Sequence, residues 1–416
     1  MKTVKQSNYR YIIIALLFFI TVANYVDRES ISYAVDIFQG SFQLDDTQIG
    51  FILGAFGIGY AFTTFLGGVA ADRFGPRLTL SASVFFWSLA MIFSGFIMGF
   101  WLAFSMRVLL GLAEGPNFPA MTRAVSDWLP ESERMRALSY ALMSVPIALA
   151  IGGPIVSQLI AHYSWRTMFY ILGVTALLWV PLWWCLFRNK PSESAHVNDA
   201  ELALINAKSE LVQANQKQSS YREILTNPTL LSNNWAFFVF GYYLFFFMGW
   251  LPTYLTHEYH ITLLKVGLFT VLPWTLAALM MCGAGCLSDH LYNKTKSIRI
   301  SRSYFIMISQ LLAAVCILPV IFAGTLNAAI LFISLAVGFS MSANAAFYAV
   351  NIDVTHQRSG TALGIMEVGF SISGFLAPVI TGWLVTTTGH FESAFLVMSL
   401  LALSSVFLVY FFHCRE

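Results

Sequence analysis

The chain has 416 residues, of which 57% are hydrophobic, 16% aromatic and only 11% charged. A soluble chain carries about a quarter charged residues, so a soluble globular domain is excluded. Apolar runs of about 18 residues or more recur along the whole length, each able to cross a hydrocarbon core of about 30 Å. The net charge of +2 offers no sign of a nucleic-acid partner.

Hydropathy divides the chain into twelve spans, at about 12–38, 47–70, 79–99, 101–127, 137–161, 166–187, 232–256, 264–288, 303–322, 328–352, 361–385 and 391–412. The expected fold is therefore all-α and integral to the membrane. The start (Lys2, Lys5, Arg10, then an apolar run) has the outline of a signal peptide. The run is too long, however, and Asp27-Arg28-Glu29 stand where a small-residue cleavage site belongs. An uncleaved first span is expected. Lys and Arg placement sets orientation. With the N-terminus cytoplasmic, Arg28 and Arg107 lie within spans, Arg166 and Lys265 lie outside, and the other basic residues fall inside or at inner span ends. The expectation is a multi-pass protein of a cell (inner) membrane with both termini cytoplasmic, acting as a monomer.

The first span holds Asn24-Tyr25-Val26-Asp27-Arg28-Glu29, three charges in a row. A charge at mid-membrane costs at least about 2.5 kcal/mol and persists where it faces a polar cavity or a partner. Between the second and third spans, Gly67-Gly68-Val-Ala-Ala-Asp72-Arg73-Phe74-Gly75-Pro76-Arg77 reads as a tight inner turn. There Asp72 can cap or bridge a neighbouring helix, and Arg73 and Arg77 can anchor to the cytoplasmic side. The fourth span carries Arg107 and Glu114, seven apart and so on one helix face, roughly 10 Å from each other. Adjacent residues on a helix diverge by about 100°, so Asp27 and Arg28 cannot aim at one ligand atom. The economical arrangement pairs the two carboxylates crosswise with Arg28 and Arg107. A plain ion-pair lock between the first and fourth spans is the alternative. Glu29 gains no role and is expected to face the outer vestibule.

The connection 188–231 splits the spans six and six, giving residues 1–190 and 232–416 as two bundles and 191–231 as a cytoplasmic linker. Asn198 and Glu201 form a capping-box pattern for a short surface helix with Leu202, Ile205 and Leu211 on its apolar side. A tether is the preferred reading of this segment. The halves echo each other: Gly68 to Arg73 closes the second span as Gly285 to His290, with Asp289, closes the eighth. Arg134 and Pro154 match Arg358 and Pro378, both pairs 224 positions apart. That register indicates a duplicated six-helix unit with substrate at the midplane between halves. Arg134 and Asp289 therefore join Asp72, Arg73 and Arg77 as structural or gating candidates.

The eleventh span reads Gly364-Ile-Met-Glu367-Val-Gly-Phe-Ser371 and contributes a third in-membrane carboxylate. Two readings stand: Glu367 meets a positive group on the substrate, or it pairs with a backbone or amide group such as Asn344 and is held protonated. Tyr242 and Tyr243 on the seventh span, and Asn344, Tyr348 and Asn351 on the tenth, are cavity-lining candidates. Glycines 54, 57 and 59 on the second span and 360 and 364 on the eleventh read as close helix contacts that slide. Cys282 and Cys286, four apart with Asp289 and His290 beyond, are read as packing residues, so no metal site is expected. All eight histidines lie in loops or near span ends, which argues against a histidine relay. No nucleophile–base pair or phosphate-cradling loop appears, and an enzyme is not expected.

The Gly67–Arg77 signature resembles that of the major facilitator superfamily. Asn24-Tyr25-Val26-Asp27-Arg28, Arg107-Val-Leu-Leu-Gly111-Leu-Ala-Glu114-Gly-Pro-Asn-Phe-Pro119, Glu133-Arg134-Met-Arg136-Ala137 and Gly152-Gly153-Pro154 narrow the resemblance to its anion:cation symporter family, over essentially the whole chain. The resemblance implies twelve helices in two pseudo-symmetric bundles and uptake of a small organic anion with protons, no cofactor being needed. By matched position it implies Asp27 and Glu114 for proton coupling, Arg28 for the substrate carboxylate, and Tyr60 for a substrate hydrogen bond. Arg107, Glu367, Ser371, Asn344, Tyr348 and Tyr242 are the further substrate-site candidates. Relatives that carry sugar acids usually have asparagines near Glu367 and Ser371; this departure opens the alternative of an amine-bearing acid. An exporter or facilitator of the same solutes, and a non-transporting receptor, are the rival functions. Coupling needs a carboxylate whose charge depends on its partner: when substrate takes Arg28, Asp27 or Glu114 loses its counter-charge and binds a proton.

Overall fold

The computed structural model describes residues 7–206, 221–295, 297, 299–355 and 359–413. Among the described residues every regular element is helical. The first half comprises α1 (Tyr9–Ser30), which runs through a 3-10 turn (Ile31–Ala34) into α2 (Val35–Phe42), then α3 (Asp46–Phe74), α4 (Pro76–Ser94), α5 (Phe100–Glu114), α6 (Asn117–Trp128), α7 (Glu131–His162) and α8 (Trp165–Leu186). Short helices α9 (Asp199–Asn206) and α10 (Tyr221–Thr226) occupy the linker. The second half comprises α11 (Pro228–Tyr259), α12 (Leu263–Phe269), α13 (Val271–Thr295), α14 (Tyr304–Ile317), α15 (Leu326–Ser342), α16 (Asn344–Thr355), α17 (Ser359–Thr388) and α18 (Glu392–Phe412).

Local chemistry sets several boundaries. Asp45 and Gln48 cap α3 reciprocally: the Gln48 amide donates to Asp45 Oδ1 (2.7 Å) and the Asp45 amide to Gln48 Oε1 (3.1 Å). Gly75 turns the chain into α4 at φ +81°, a conformation that favours glycine, and Pro76 then starts the helix where no N–H is needed. Phe65, Trp101 and Phe322 are among many exposed apolar side chains on the outside. α11, apolar all round, is buried along nearly its whole length. The chain is a multi-pass membrane protein.

Eleven stretches among the described residues are helical, long and apolar enough to cross a membrane. The remaining expected span, 101–127, is broken: α5 ends at Glu114 and α6 begins at Asn117. Pro116 explains the break, because it lacks the N–H an α-helix needs and its ring crowds the preceding turn. The fourth span of the second half is interrupted as well, at Ala343 between α15 and α16. Interrupted spans in matching places of two halves are where a midplane site is built.

The halves meet tightly at the end remote from the termini. A Cβ on Gly50 would stand 2.6 Å from the Pro378 carbonyl, and one on Gly57 2.7 Å from the Phe375 nitrogen, so α3 and α17 run backbone to backbone there. Thr47 Oγ1 bonds Thr386 Oγ1 across the same seam (2.9 Å). α7 meets α12 equally closely, with Gly267 packed 2.7 Å (as a Cβ) from the Gly153 carbonyl. Towards the other end Gly364, on the same α17, faces open space. The halves are therefore sealed together at the end remote from the termini.

The linker is docked onto the first half, which is more than the expected tether. Asn198 Oδ1 accepts from the Glu201 amide (2.9 Å), as the capping pattern requires. Glu201, 0% exposed, accepts from the Tyr9 and Arg10 amides (each 3.1 Å), from Ser7 Oγ (2.6 Å) and from Arg10 Nη1 (3.0 Å). The N-cap Asn8 makes no side-chain cap of its own, so Glu201 supplies one from the linker. Arg10 also bonds Glu133 on α7 (2.9 Å), and Tyr9 stacks on His196. Leu211 lies outside the described residues.

Candidate functional site

α3 and α5 approach so closely that a Cβ on Gly59 would strike the Val108 carbonyl and one on Gly111 the Phe56 carbonyl. This contact brings Phe56 and Tyr60 of α3 and Glu114 of α5 against α1. Arg28 Nε and Nη2 donate to one oxygen of Glu114, Oε2, at 3.1 and 2.9 Å, and Nη2 also donates to Asn24 Oδ1 at 3.1 Å. The guanidinium lies over three rings, Phe56 (4.3 Å), Tyr25 (4.5 Å) and Tyr60 (5.0 Å). Arg28 is 1% exposed and Glu114 0%. Arg28 Nη1 and Glu114 Oε1 are left without hydrogen-bond partners among the described residues.

Only half of the expected crosswise pairing forms: Arg28 takes Glu114, but Arg107 and Asp27 do not pair. Arg107 Nη1 donates to the Arg28 backbone carbonyl (3.2 Å), not to Asp27. The reason is local: α1 gives way to a 3-10 turn at Ile31, which frees carbonyls in its last turn, and a cation satisfies one. Asp27 lies instead beside Trp87 of α4, and neither Asp27 Oδ2 nor the Trp87 indole N–H has a hydrogen-bond partner among the described residues. Glu29 does not face a vestibule: it is 2% exposed, packed under Gly152 of α7. Beyond Arg28 and Arg107 towards the sealed end lies a cavity of about 10 Å³, walled by Leu53, Phe245, Met248 and Pro378 among others.

From the second half, Tyr348 on α16 and Glu367 on α17 face this cluster, and the Tyr348 hydroxyl donates to Glu367 Oε1 at 2.7 Å. Glu367 lies within electrostatic range of Arg28, and Tyr348 within that of Tyr25 and Tyr60, so these groups mark one region between the halves, referred to below as the chamber. The amide partner proposed for Glu367 is not Asn344, whose Nδ2 points to Met281 Sδ (3.8 Å). The Ser371 hydroxyl is turned back onto the Glu367 carbonyl of its own helix (2.9 Å). Tyr242 leans towards Thr381 and away from the chamber, while Tyr243 donates to the Met398 carbonyl. Asn351 is core, bonded to the Phe347 carbonyl (3.0 Å).

The turn residues sit far from this chamber. Asp72 pairs with Arg123 of α6 at 3.0 Å, and Arg123 also holds Asp127. Arg77 lies over Trp184 and donates to its carbonyl, Arg73 lies by Phe74, and Arg134 Nε donates to the Leu129 carbonyl (3.1 Å). Arg358 and the Asp289 side chain lie outside the described residues. Sequence reasoning missed Asn24 and Tyr25 as partners of Arg28. Their offsets of four and three residues from it on one helix were the available signal. Phe56 and Arg123 gave none, since their contacts come from other helices.

A family model described as Major Facilitator Superfamily matches residues 17–302 and 297–416. The chain is 33% identical over 396 residues to a hexuronate transporter of Bacillus subtilis (strain 168), covering 94% of this chain and 91% of that protein. It is 30% identical over 401 residues to a probable sulfoacetate transporter, SauU, of Cupriavidus necator, covering 95% and 92%. Among solved structures, a bacterial homologue of the human lysosomal transporter Spinster, in an inward-facing and occupied conformation, superposes with a TM-score of 0.78 at 16% identity, over 97% of this chain and 96% of that one. This last likeness concerns the fold alone.

Proposed function

The chain belongs to the major facilitator superfamily, and on that premise we propose that it takes up a small organic anion together with protons, by alternating access of a midplane site. The observation that carries this reading is Arg28. It is buried, cationic at any physiological pH, held by Glu114 through two of its nitrogens, and left with Nη1 unspent beside the cleft. A guanidinium fork is suited to bidentate recognition of a carboxylate or sulfonate. The relatives named for a hexuronate and for sulfoacetate are consistent with an anionic solute.

In this reading Glu114 competes with the substrate for Arg28. An incoming carboxylate displaces it, and a displaced buried carboxylate is accommodated by taking a proton. Asp27, without a cation beside it, is the second proton site, and Tyr25, Tyr60 and Tyr348 supply ring faces and hydroxyls around the solute. With both termini cytoplasmic, the sealed end faces outward and the structure is inward-facing. The test is accumulation in proteoliposomes of hexuronates, aldarates and sulfoacetate under an imposed proton gradient. Concentrative uptake lost in both Asp27→Asn and Glu114→Gln, with exchange retained, supports the reading; concentrative uptake in both variants refutes it.

A second reading rests on Glu367. It lies within electrostatic range of Arg28 and is bonded to Tyr348 rather than to a cation, which fits a solute carrying an amine as well as an acid. Glu367→Gln separates the two: selective loss of amine-bearing ligands supports this reading, and undiminished binding of them removes it.

A further inference from the structure

Glu29 is the buried acid that the proposed cycle does not use. It lies one residue beyond the anion hook but on another face of α1, 2% exposed. On α7, Gly152 leaves room for the carboxylate: a Cβ there would stand 2.8 Å from Oε2. On its own chain the Tyr33 hydroxyl donates to Oε1 at 3.2 Å. That hydroxyl is in turn 2.9 Å from Thr270 Oγ1, at the junction of α12 and α13 in the other half. Glu29 Oε2 has no partner, and Tyr33 is the titratable group beside it among the described residues. The Glu29–Tyr33–Thr270 chain sits where Gly153 and Gly267 press α7 onto α12, inside the seal itself.

We infer that Glu29 is a proton-binding latch of the sealed end, which closes with Glu29 protonated and opens when Glu29 is ionised. A carboxylate buried with no cation is strongly disfavoured as an anion, whereas its neutral acid can donate to the Tyr33 hydroxyl, which in turn can donate to Thr270 Oγ1. Opening would separate α12 from α7, break the Tyr33–Thr270 bond and wet the carboxylate. The proton on Glu29 is then exchanged with the side that the seal faces and returned to it. This distinguishes Glu29 from Asp27 and Glu114: it senses pH on that side without adding a transported proton. The other titratable contact across the same rim is the more exposed His257–Asp36 pair (3.5 Å), flanked by Glu258 and Asp46.

The inference rests on the alternating-access reading, and its test uses no substrate, so the two fail separately. Spin labels are placed on Gln43 and His390, exposed at the sealed end on either half, in the full chain with its native cysteines replaced, and their separation is followed against pH in nanodiscs. Closure is coupled to one proton, so the closed-to-open ratio should fall as pH rises, approaching tenfold per unit. Glu29→Gln should stay closed across the range, and His257→Gln should keep the transition. Tyr33→Phe, which removes a hydrogen bond but no titrating acid, should shift the midpoint and keep the slope, and it serves if Glu29→Gln does not fold. A wild-type distance independent of pH, a Glu29→Gln profile like the wild type, or an unmoved Tyr33→Phe midpoint overturns the assignment.

Discussion

Glu114→Gln gives the sharpest test of the competition at Arg28. The wild-type pair is fully buried, with nitrogen–oxygen distances of 2.9 and 3.1 Å. Removing one member of a buried pair costs about 3–5 kcal/mol, because the other is left as a buried charge. Arg28 cannot shed its proton, but the glutamine oxygen, Asn24 and the three ring faces retain part of its stabilisation, each ring being worth about 0.5–2 kcal/mol. A loss of about 2–4 kcal/mol in the empty protein is therefore expected. Anion binding should change in the opposite sense. In the wild type the anion must displace Glu114 or arrive with a proton, so its Kd should weaken towards about tenfold per pH unit as the solution becomes alkaline. In Glu114→Gln the competitor is gone, and binding should be tighter and nearly flat with pH. Titration calorimetry from mildly acid to mildly alkaline pH reads both quantities. The same slope in both proteins would falsify the competition, whatever the mutant's stability.

Three further outcomes follow from the packing. Gly50→Val should bar closure without unfolding either half, because its side chain meets the Pro378 carbonyl of the other half; Gly59→Val, facing Val108 and Gly111 within one half, should instead lower the yield of folded protein. Label distances at the sealed end and the thermal unfolding midpoint distinguish the two. Glu201→Ala should cost about 0.5–2 kcal/mol for the lost cap alone, more if Arg10 finds no substitute, and is read by thermal unfolding. The Arg10 hydrogen bond holds the Glu133 carboxyl below its ordinary value. A carboxylate depressed on folding contributes stability above its unfolded value, about 4.3, and loses it as pH falls through the folded one. Glu133→Gln should accordingly flatten the acid limb of the stability curve by lowering stability at neutral pH, and leave strongly acid pH little changed.

The helical membrane fold was legible because spans of about 20 apolar residues are a one-dimensional signal. The Arg28–Glu114 pair was legible in kind, since in-membrane charges must find each other. Its partition was not. Whether Glu114 or Asp27 takes Arg28 depends on how far α5 approaches α1, and that is fixed by the Gly59–Gly111 contact on a third helix. The break after Glu114 was readable from Pro116; the one at Ala343 carries no proline, and the expected spans ran through both. Glu29 was misplaced because hydropathy gives depth along α1 and says nothing of which neighbour covers a face. The docking of Glu201 was missed for a related reason. A capping box explains the start of its own helix, but not that the same carboxylate also caps another helix more than 190 positions away.

Charge balance in the chamber connects the two substrate readings to one measurement. Arg28 and Arg107 are cationic, Glu114 and Glu367 can be anionic, and Asp27 has no cation beside it and is best accommodated neutral. So constituted, the empty chamber sums to zero. A monoanionic solute makes it −1, and an uncompensated buried charge costs several kcal/mol, so about one proton should enter with it. A dianion should bring about two. An amine-bearing acid is net neutral, adds its amine opposite Glu367 and its acid opposite Arg28, and requires no proton at all. If instead Glu367 is protonated when empty, the chamber begins at +1 and a monoanion binds without uptake. Proton uptake per ligand bound, measured in weakly buffered solution with a sugar acid and its amino counterpart, therefore decides both the state of Glu367 and the class of solute. Uptake of about one proton with the amino acid form would sink the charge-balance argument, leaving displacement of Glu114 as the cause of proton entry.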